Sequence, residues 1–134
     1  MFSFIKNLFG VKQNVKNDLE LTVMLIGLDN AGKTTILSCL QGELDKDTTP
    51  TIGFNRETIK HGRYDITYYD LGGGTTIRNI WRRYYPAIHA AIFVVDSCDQ
   101  SRFAEAKEVM FEAVQNRNFK GKNLLILANK QDVP

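Results

Sequence analysis

Gly27-Leu28-Asp29-Asn30-Ala31-Gly32-Lys33-Thr34 fits the pattern GxxxxGK[ST]. It lies between a short apolar run at residues 21–26 (LTVMLI) and a stretch at 33–40 that puts Ile36, Leu37 and Leu40 on one helical face. A strand buried on both faces, a glycine-rich turn and a covering helix form the context in which this pattern acts as a phosphate loop. Gly27 and Gly32 let the backbone wrap around phosphate oxygens, with successive N–H groups and the helix N-terminus facing the negative charge. Leu28, Asn30, Ala31 and Thr35 share that backbone cradle. Lys33 is expected at the β- and γ-phosphates, and the Thr34 hydroxyl on Mg²⁺. Asp29 brings a carboxylate close to the phosphates, so it either forms an Asx turn or points away from them. The bland alternative is a turn that only joins strand to helix.

The remaining elements extend this unit. Residues 53–59 and 64–70 read as strands, the second alternating Tyr64, Ile66 and Tyr68 against Asp65, Thr67 and Tyr69, joined by a hairpin turn at Lys60-His61-Gly62-Arg63. Residues 90–95 (AAIFVV) and 124–128 (LLILA) read as two more fully buried strands. Between them, residues 101–115 carry Phe103, Ala106, Met110, Ala113 and Val114 at helical spacing, with Ser101 as N-cap. Strands that alternate with helices predict an α/β fold of the P-loop NTPase type. Its sheet is mostly parallel, with helices on both faces and one antiparallel hairpin strand. Ligands of such sheets bind beyond the carboxyl ends of the strands, where every polar motif of this chain falls. Residues 1–17 read as an amphipathic helix and linker and 18–134 as one domain. With no helix after residues 124–128, the domain is expected to lack its C-terminal strand and helix.

Charge and cysteine content exclude several functions. Across 134 residues, 17 Lys and Arg face 15 Asp and Glu, a net charge of +2, with basic residues scattered and no aromatic-interleaved basic stripe. Nucleic acid is not an expected partner. The two cysteines, Cys39 and Cys98, lie far apart in apolar surroundings and read as buried thiols, not as a metal or disulfide pair. No apolar run approaches the ~18 residues that cross a bilayer, and no signal-peptide pattern is present, so an intracellular, monomeric protein is expected.

Asn129-Lys130-Gln131-Asp132 follows the last apolar run and fits NKxD. The Asp132 carboxylate can accept hydrogen bonds from N1–H and the 2-amino group of guanine, a donor pair that adenine lacks. A buried polar group left unpaired costs about 1–3 kcal/mol, so ATP is disfavoured. Asn129 can bond the base or tie its loop to the phosphate loop, and the Lys130 stem can cover the base plane.

Together the stretches 27–35 (GLDNAGKTT), 49–55 (TPTIGFN), 70–73 (DLGG), 78–85 (RNIWRRYY), 93–97 (FVVDS) and 128–132 (ANKQD) resemble the Arf-like small GTPases across all 134 residues. The resemblance implies that Thr51 ligates Mg²⁺ in the GTP state, that Asp70 holds it through a water, and that the Gly73 N–H senses the γ-phosphate. GTP and GDP with Mg²⁺ are the implied ligands. The implied partners are effectors, exchange factors and activating proteins at switches I and II. Where the family reads DLGGQ, this chain has Gly74. Glycine cannot orient the attacking water, and losing such a group commonly slows hydrolysis by about 10²-fold or more, which leaves no confident catalytic residue. Alternatively, Gly74 only loosens switch II and a partner supplies the missing group. DLGGG with Ile77, Trp81, Tyr84 and Tyr85 resembles the ciliary Arf-like branch, whose GTP forms act as exchange factors for another Arf-like GTPase.

Phe2, Ile5, Leu8 and Phe9 share one face of the N-terminal segment, with Phe4 beside them. In Arf-like proteins such a helix is released toward membrane or partner with the nucleotide state; the alternative is a helix that completes the core. Phe2 stands where myristoylation requires glycine, so only weak peripheral membrane contact is expected, at a cytoplasmic, membrane or ciliary site. Three functions compete: a slow-hydrolysing GTP switch acting through effectors, a cycling GTPase completed by an activating protein, and an interaction fragment that binds no nucleotide.

Overall fold

The computed structural model describes residues 19–42, 54–76 and 78–130. The expected N-terminal helix, Thr51, Ile77, Gln131 and Asp132 lie outside these residues.

Five strands form one sheet: β1 (Leu19–Gly27), β2 (Phe54–His61), β3 (Tyr64–Leu71), β4 (Ala90–Asp96) and β5 (Asn123–Asn129). The spatial order is β2-β3-β1-β4-β5. β1 runs parallel to both neighbours, Leu25 opposite Asp70 on one side and Gly27 opposite Val94 on the other. β4 and β5 are parallel, with Asp96 opposite Asn129. β2 is the antiparallel strand, its first residue Phe54 opposite Leu71 and its last, His61, opposite Tyr64. A two-residue turn at Gly62-Arg63 closes this hairpin, and Gly62 takes the positive φ (62°) that such a turn needs at its first position.

Alternation along β1 divides the core in two. Met24 and Ile26 point to the face covered by α2 (Phe103–Gln115), where Ala106 and Ala113 pack with Leu71, Trp81, Tyr85 and Phe93. Val23 and Leu25 point to the opposite face, where Leu37 of α1 (Lys33–Leu40) packs with Ile66, Tyr68 and Val94. This is the expected sheet with helices on both sides. No helix among the described residues is long and apolar enough to cross a membrane.

Three local expectations are corrected. Ser101 does not cap the long helix. It sits inside a 3-10 turn, Gln100–Arg102, and its hydroxyl donates to Asp99 Oδ1 at 2.6 Å, so α2 starts at Phe103 without a side-chain cap. β5 is not buried on both faces, because it is an edge strand among the described residues and Ile126 is 53% exposed. Cys39 and Cys98 are exposed thiols: Cys39 lies on the outward side of α1 and Cys98 in the turn after β4, so their apolar neighbours in sequence do not bury them.

Candidate functional site

The carboxyl ends of β1, β3, β4 and β5 meet on one edge of the sheet, and the antiparallel direction of β2 brings Phe54 to the same edge. The loop from Gly27 to Gly32 occupies the centre. Leu28 and Ala31 are buried in the core, so they offer the site their backbone only. Asn30 takes a left-handed φ of 64°, and Gly32 one of 99° where α1 begins. Gly27 is required by space and Gly32 by its backbone conformation. A Cβ on Gly27 would overlap the Val94 carbonyl oxygen, and one on Gly32 would overlap Asn129 Nδ2.

Lys33 lies 6% exposed in the first turn of α1, its Nζ donating to Gly27 O at 3.3 Å and Leu28 O at 2.9 Å. Burial pushes its ammonium down to about 8, against the opposing pull of the Asp70 charge. Thr35 is exposed on the same turn. The Thr34 hydroxyl donates to Asp70 Oδ2 at 2.5 Å, and the Asp70 side chain is wholly buried. This hydroxyl and carboxylate pair is an all-oxygen donor set suited to a hard cation. No group of three or more His, Cys, Asp or Glu that could hold a metal occurs among the described residues.

Downstream of Asp70 the chain lies against the phosphate loop. Trp81, 2% exposed, donates from Nε1 to Gly72 O at 2.9 Å. A Cβ on Gly73 would overlap Asp29 N, Gly27 O and Leu28 C, whereas one on Gly74 would meet no described residue within 4 Å. The two adjacent glycines therefore differ: Gly73 is fixed by close approach, while Gly74 faces open space.

On the other side of the loop lies Asn129. Its Nδ2 donates to Ala31 O at 2.9 Å, tying the β5 loop to the phosphate loop. Lys130, with φ 63°, donates from Nζ to Asn30 O at 2.8 Å and to Asp96 Oδ2 at 3.0 Å. That bond holds the Asp96 carboxyl below its usual range. Ser97 N–H and Oγ both donate to Asn129 O, at 3.1 and 2.6 Å.

Asp29 turns outward. Its Oδ1 accepts from Arg102 Nη2 at 2.8 Å, and that guanidinium keeps its carboxyl below the usual value. Arg102 and Arg78 also hold Glu105 down to about 2. Arg78, Arg102 and Glu105 were not legible as site residues; only the i,i+3 spacing of Arg102 and Glu105 hinted that these two pair. Phe54, Tyr69 and Tyr84 form an aromatic cluster with ring centroids 5.2–6.3 Å apart, and Phe54 is 50% exposed.

The model of the ADP-ribosylation factor family matches residues 3–134. ADP-ribosylation factor-like protein 13B of Chlamydomonas reinhardtii is 46% identical over the whole chain, which spans 25% of that protein. ADP-ribosylation factor 1 of Brassica rapa subsp. pekinensis is 46% identical over 121 residues, 90% of this chain and 66% of its own length. Among solved structures, the Arl6 BBS3 small GTPase of Trypanosoma brucei with bound nucleotide analogue GppNp superposes with a TM-score of 0.76 at 37% identity, covering 86% of this chain and 70% of that one.

Proposed function

The chain belongs to the ADP-ribosylation factor family, and on that premise we propose that it is a guanine-nucleotide switch with slow intrinsic GTP hydrolysis, read by partner proteins. The observation that carries the proposal is the convergence on one sheet edge of the phosphate loop, the Thr34–Asp70 pair, Gly73 and the Asn129–Lys130 segment. The bound GppNp of the Trypanosoma brucei protein supports the same ligand class.

In this reading the amides from Gly27 to Thr35 and the Lys33 ammonium bind the phosphates, with the α1 N-terminus adding its dipole. Gly73 N–H takes the γ-phosphate. Thr34, Asp70 through a water, and Thr51 hold Mg²⁺, which when bound neutralises phosphate charge. Asp132 selects guanine. Asn129 ties the two loops through Ala31 O, and its amide, which carries a second N–H and a carbonyl oxygen, also contacts the guanine base. The exposed Phe54 ring, backed by the partly buried Tyr69 and Tyr84, offers effectors an apolar patch. An exchange-factor role toward another Arf-like GTPase, and a ciliary site, are part of this proposal through the resemblance of DLGGG with Ile77, Trp81, Tyr84 and Tyr85 to the ciliary Arf-like branch, and peripheral membrane contact through the apolar face of residues 2–9.

Gly74 lacks a side chain for the attacking water, and no described residue lies within 4 Å of where its Cβ would stand. The same opening favours a second reading, a cycling GTPase in which an activating protein inserts the missing group. Single-turnover hydrolysis decides between them. Gly74→Gln, which the open space admits, is expected to raise the rate by about 10²-fold. An unchanged rate refutes the water-positioning argument, and strong stimulation of the unaltered chain by cell extract favours the cycling reading.

A further inference from the structure

A chain of alternating charges runs from the phosphate loop to the segment carrying Gly73, and neither sequence motif contains its middle members. Arg102 ends the 3-10 turn before α2 and donates from Nη2 to Asp29 Oδ1 at 2.8 Å and from Nη1 to Asp29 O at 3.2 Å. Its Nε donates to Glu105 Oε2 at 3.1 Å. Glu105 Oε1 accepts from Arg78 Nη2 at 2.7 Å, and Arg78 Nε donates to Gly73 O at 2.7 Å. Both ends of this relay grip backbone carbonyls, Asp29 O and Gly73 O, and those two segments are the ones whose backbones touch.

We propose that Arg102 and Glu105 are positioning residues for nucleotide binding, with separable duties. Arg102 neutralises Asp29 and holds it away from the phosphates, which favours any nucleotide. Through Glu105 and Arg78, α2 sets where the Gly73 peptide stands relative to the phosphate loop, which favours a nucleotide with a third phosphate. The pairs are partly exposed, so their strength comes from forming one network and from ordering backbone, more than from any single Coulomb contact. The duties separate because a lost Glu105 leaves Arg102 on Asp29, while a lost Arg102 exposes the phosphates to an unmasked carboxylate.

This inference rests on the nucleotide-binding reading above, and the test distinguishes the two. Affinities of the whole 134-residue chain for fluorescent GDP and GTPγS with Mg²⁺ are compared among the unaltered protein, Glu105→Gln, Arg102→Ala, Arg102→Lys and the double variant Arg102→Ala/Asp29→Asn, each checked for folding by its melting temperature. Glu105→Gln is expected to lower the GTPγS-to-GDP preference by about 3- to 10-fold while GDP affinity holds. Arg102→Ala should weaken both nucleotides. Removing the Asp29 charge in the same molecule should restore GDP but not the preference, a rescue that a merely structural role for Arg102 does not produce. Arg102→Lys keeps a cation for Asp29 without the fork that spans to Glu105, and so should lose preference more than GDP affinity. Unaltered preference in folded Glu105→Gln together with no rescue by Asp29→Asn overturns the inference alone. Failure of the unaltered chain to bind either nucleotide overturns it together with the functional reading.

Discussion

Replacing Gly73 with alanine tests the site at its tightest point. The added Cβ would lie inside 3.0 Å of Asp29 N, Gly27 O and Leu28 C, all backbone atoms that no rotamer change can clear. The phosphate loop is the less free of the two parties, since Val94 and Asn129 bracket it at Gly27 and Gly32. The Gly73 segment must therefore retreat, by on the order of 1 Å to reach ordinary carbon contact near 3.5 Å. Such a displacement takes the Gly73 N–H out of hydrogen-bond reach of a γ-phosphate. A hydrogen bond to a charged group contributes about 1.5–3 kcal/mol, so Gly73→Ala is expected to lose GTPγS affinity by roughly 10- to 150-fold. GDP has no γ-phosphate and should change by less than about 3-fold. Gly74→Ala is the internal control: its Cβ meets no described residue within 4 Å and its φ is not positive, so neither affinity should move. Equilibrium titration with fluorescent analogues reads all four values. Equal losses of GDP and GTPγS in Gly73→Ala, or a Gly74→Ala effect of the same size, would refute the reasoning.

Further outcomes follow from contacts elsewhere in the site. Trp81→Phe strands the buried Gly72 carbonyl and should lower unfolding stability by about 1–3 kcal/mol in urea titration; no change would mean that water replaces the indole. Asn129→Ala removes the tie to Ala31 O and should speed GDP release by roughly 5- to 150-fold, measured by stopped-flow displacement. The pH dependence follows from Glu105, which Arg102 and Arg78 bring to about 2 from 4.5. Because the folded value is the lower one, the unfolded chain binds more protons between them. The stabilisation is thus complete above about pH 5 and is lost as the pH falls through 4.5 toward 2. Glu105→Gln should remove that part of an acid-unfolding curve, and an identical curve would count against the assignment.

What could be read in the sequence was whatever repeats over a few residues. The bounds of α1, Lys33–Leu40, and the hairpin between β2 and β3 follow from periodicity and from Gly62, and the phosphate loop follows from its glycines. The fate of Asp29 was not legible, because its partner Arg102 is brought beside it only by the crossover from β4 into α2. The same holds for Arg78 and Glu105, whose pairing depends on how the Trp81 segment packs on α2. The loop tie was one of two roles open to Asn129, and its bond to Ala31 O is visible only once the β5 loop meets the phosphate loop. Exposure of Cys98 escaped for a related reason: an apolar strand leads up to it, but the chain has left the sheet by then, and its thiol donates to Lys130 O at the surface.

The place of β1 between two parallel neighbours bears on how the molecule assembles. Leu19 meets Tyr64 and Val23 meets Ala90, so neither partner of the central strand is local in the chain. Closing such loops costs entropy before any contact repays it. In refolding from denaturant, the β2–β3 hairpin can close early on its own turn, whereas the cradle at Gly27 is completed only once β4 docks. Ligand-binding competence should consequently recover last, in step with the slowest phase of tertiary fluorescence.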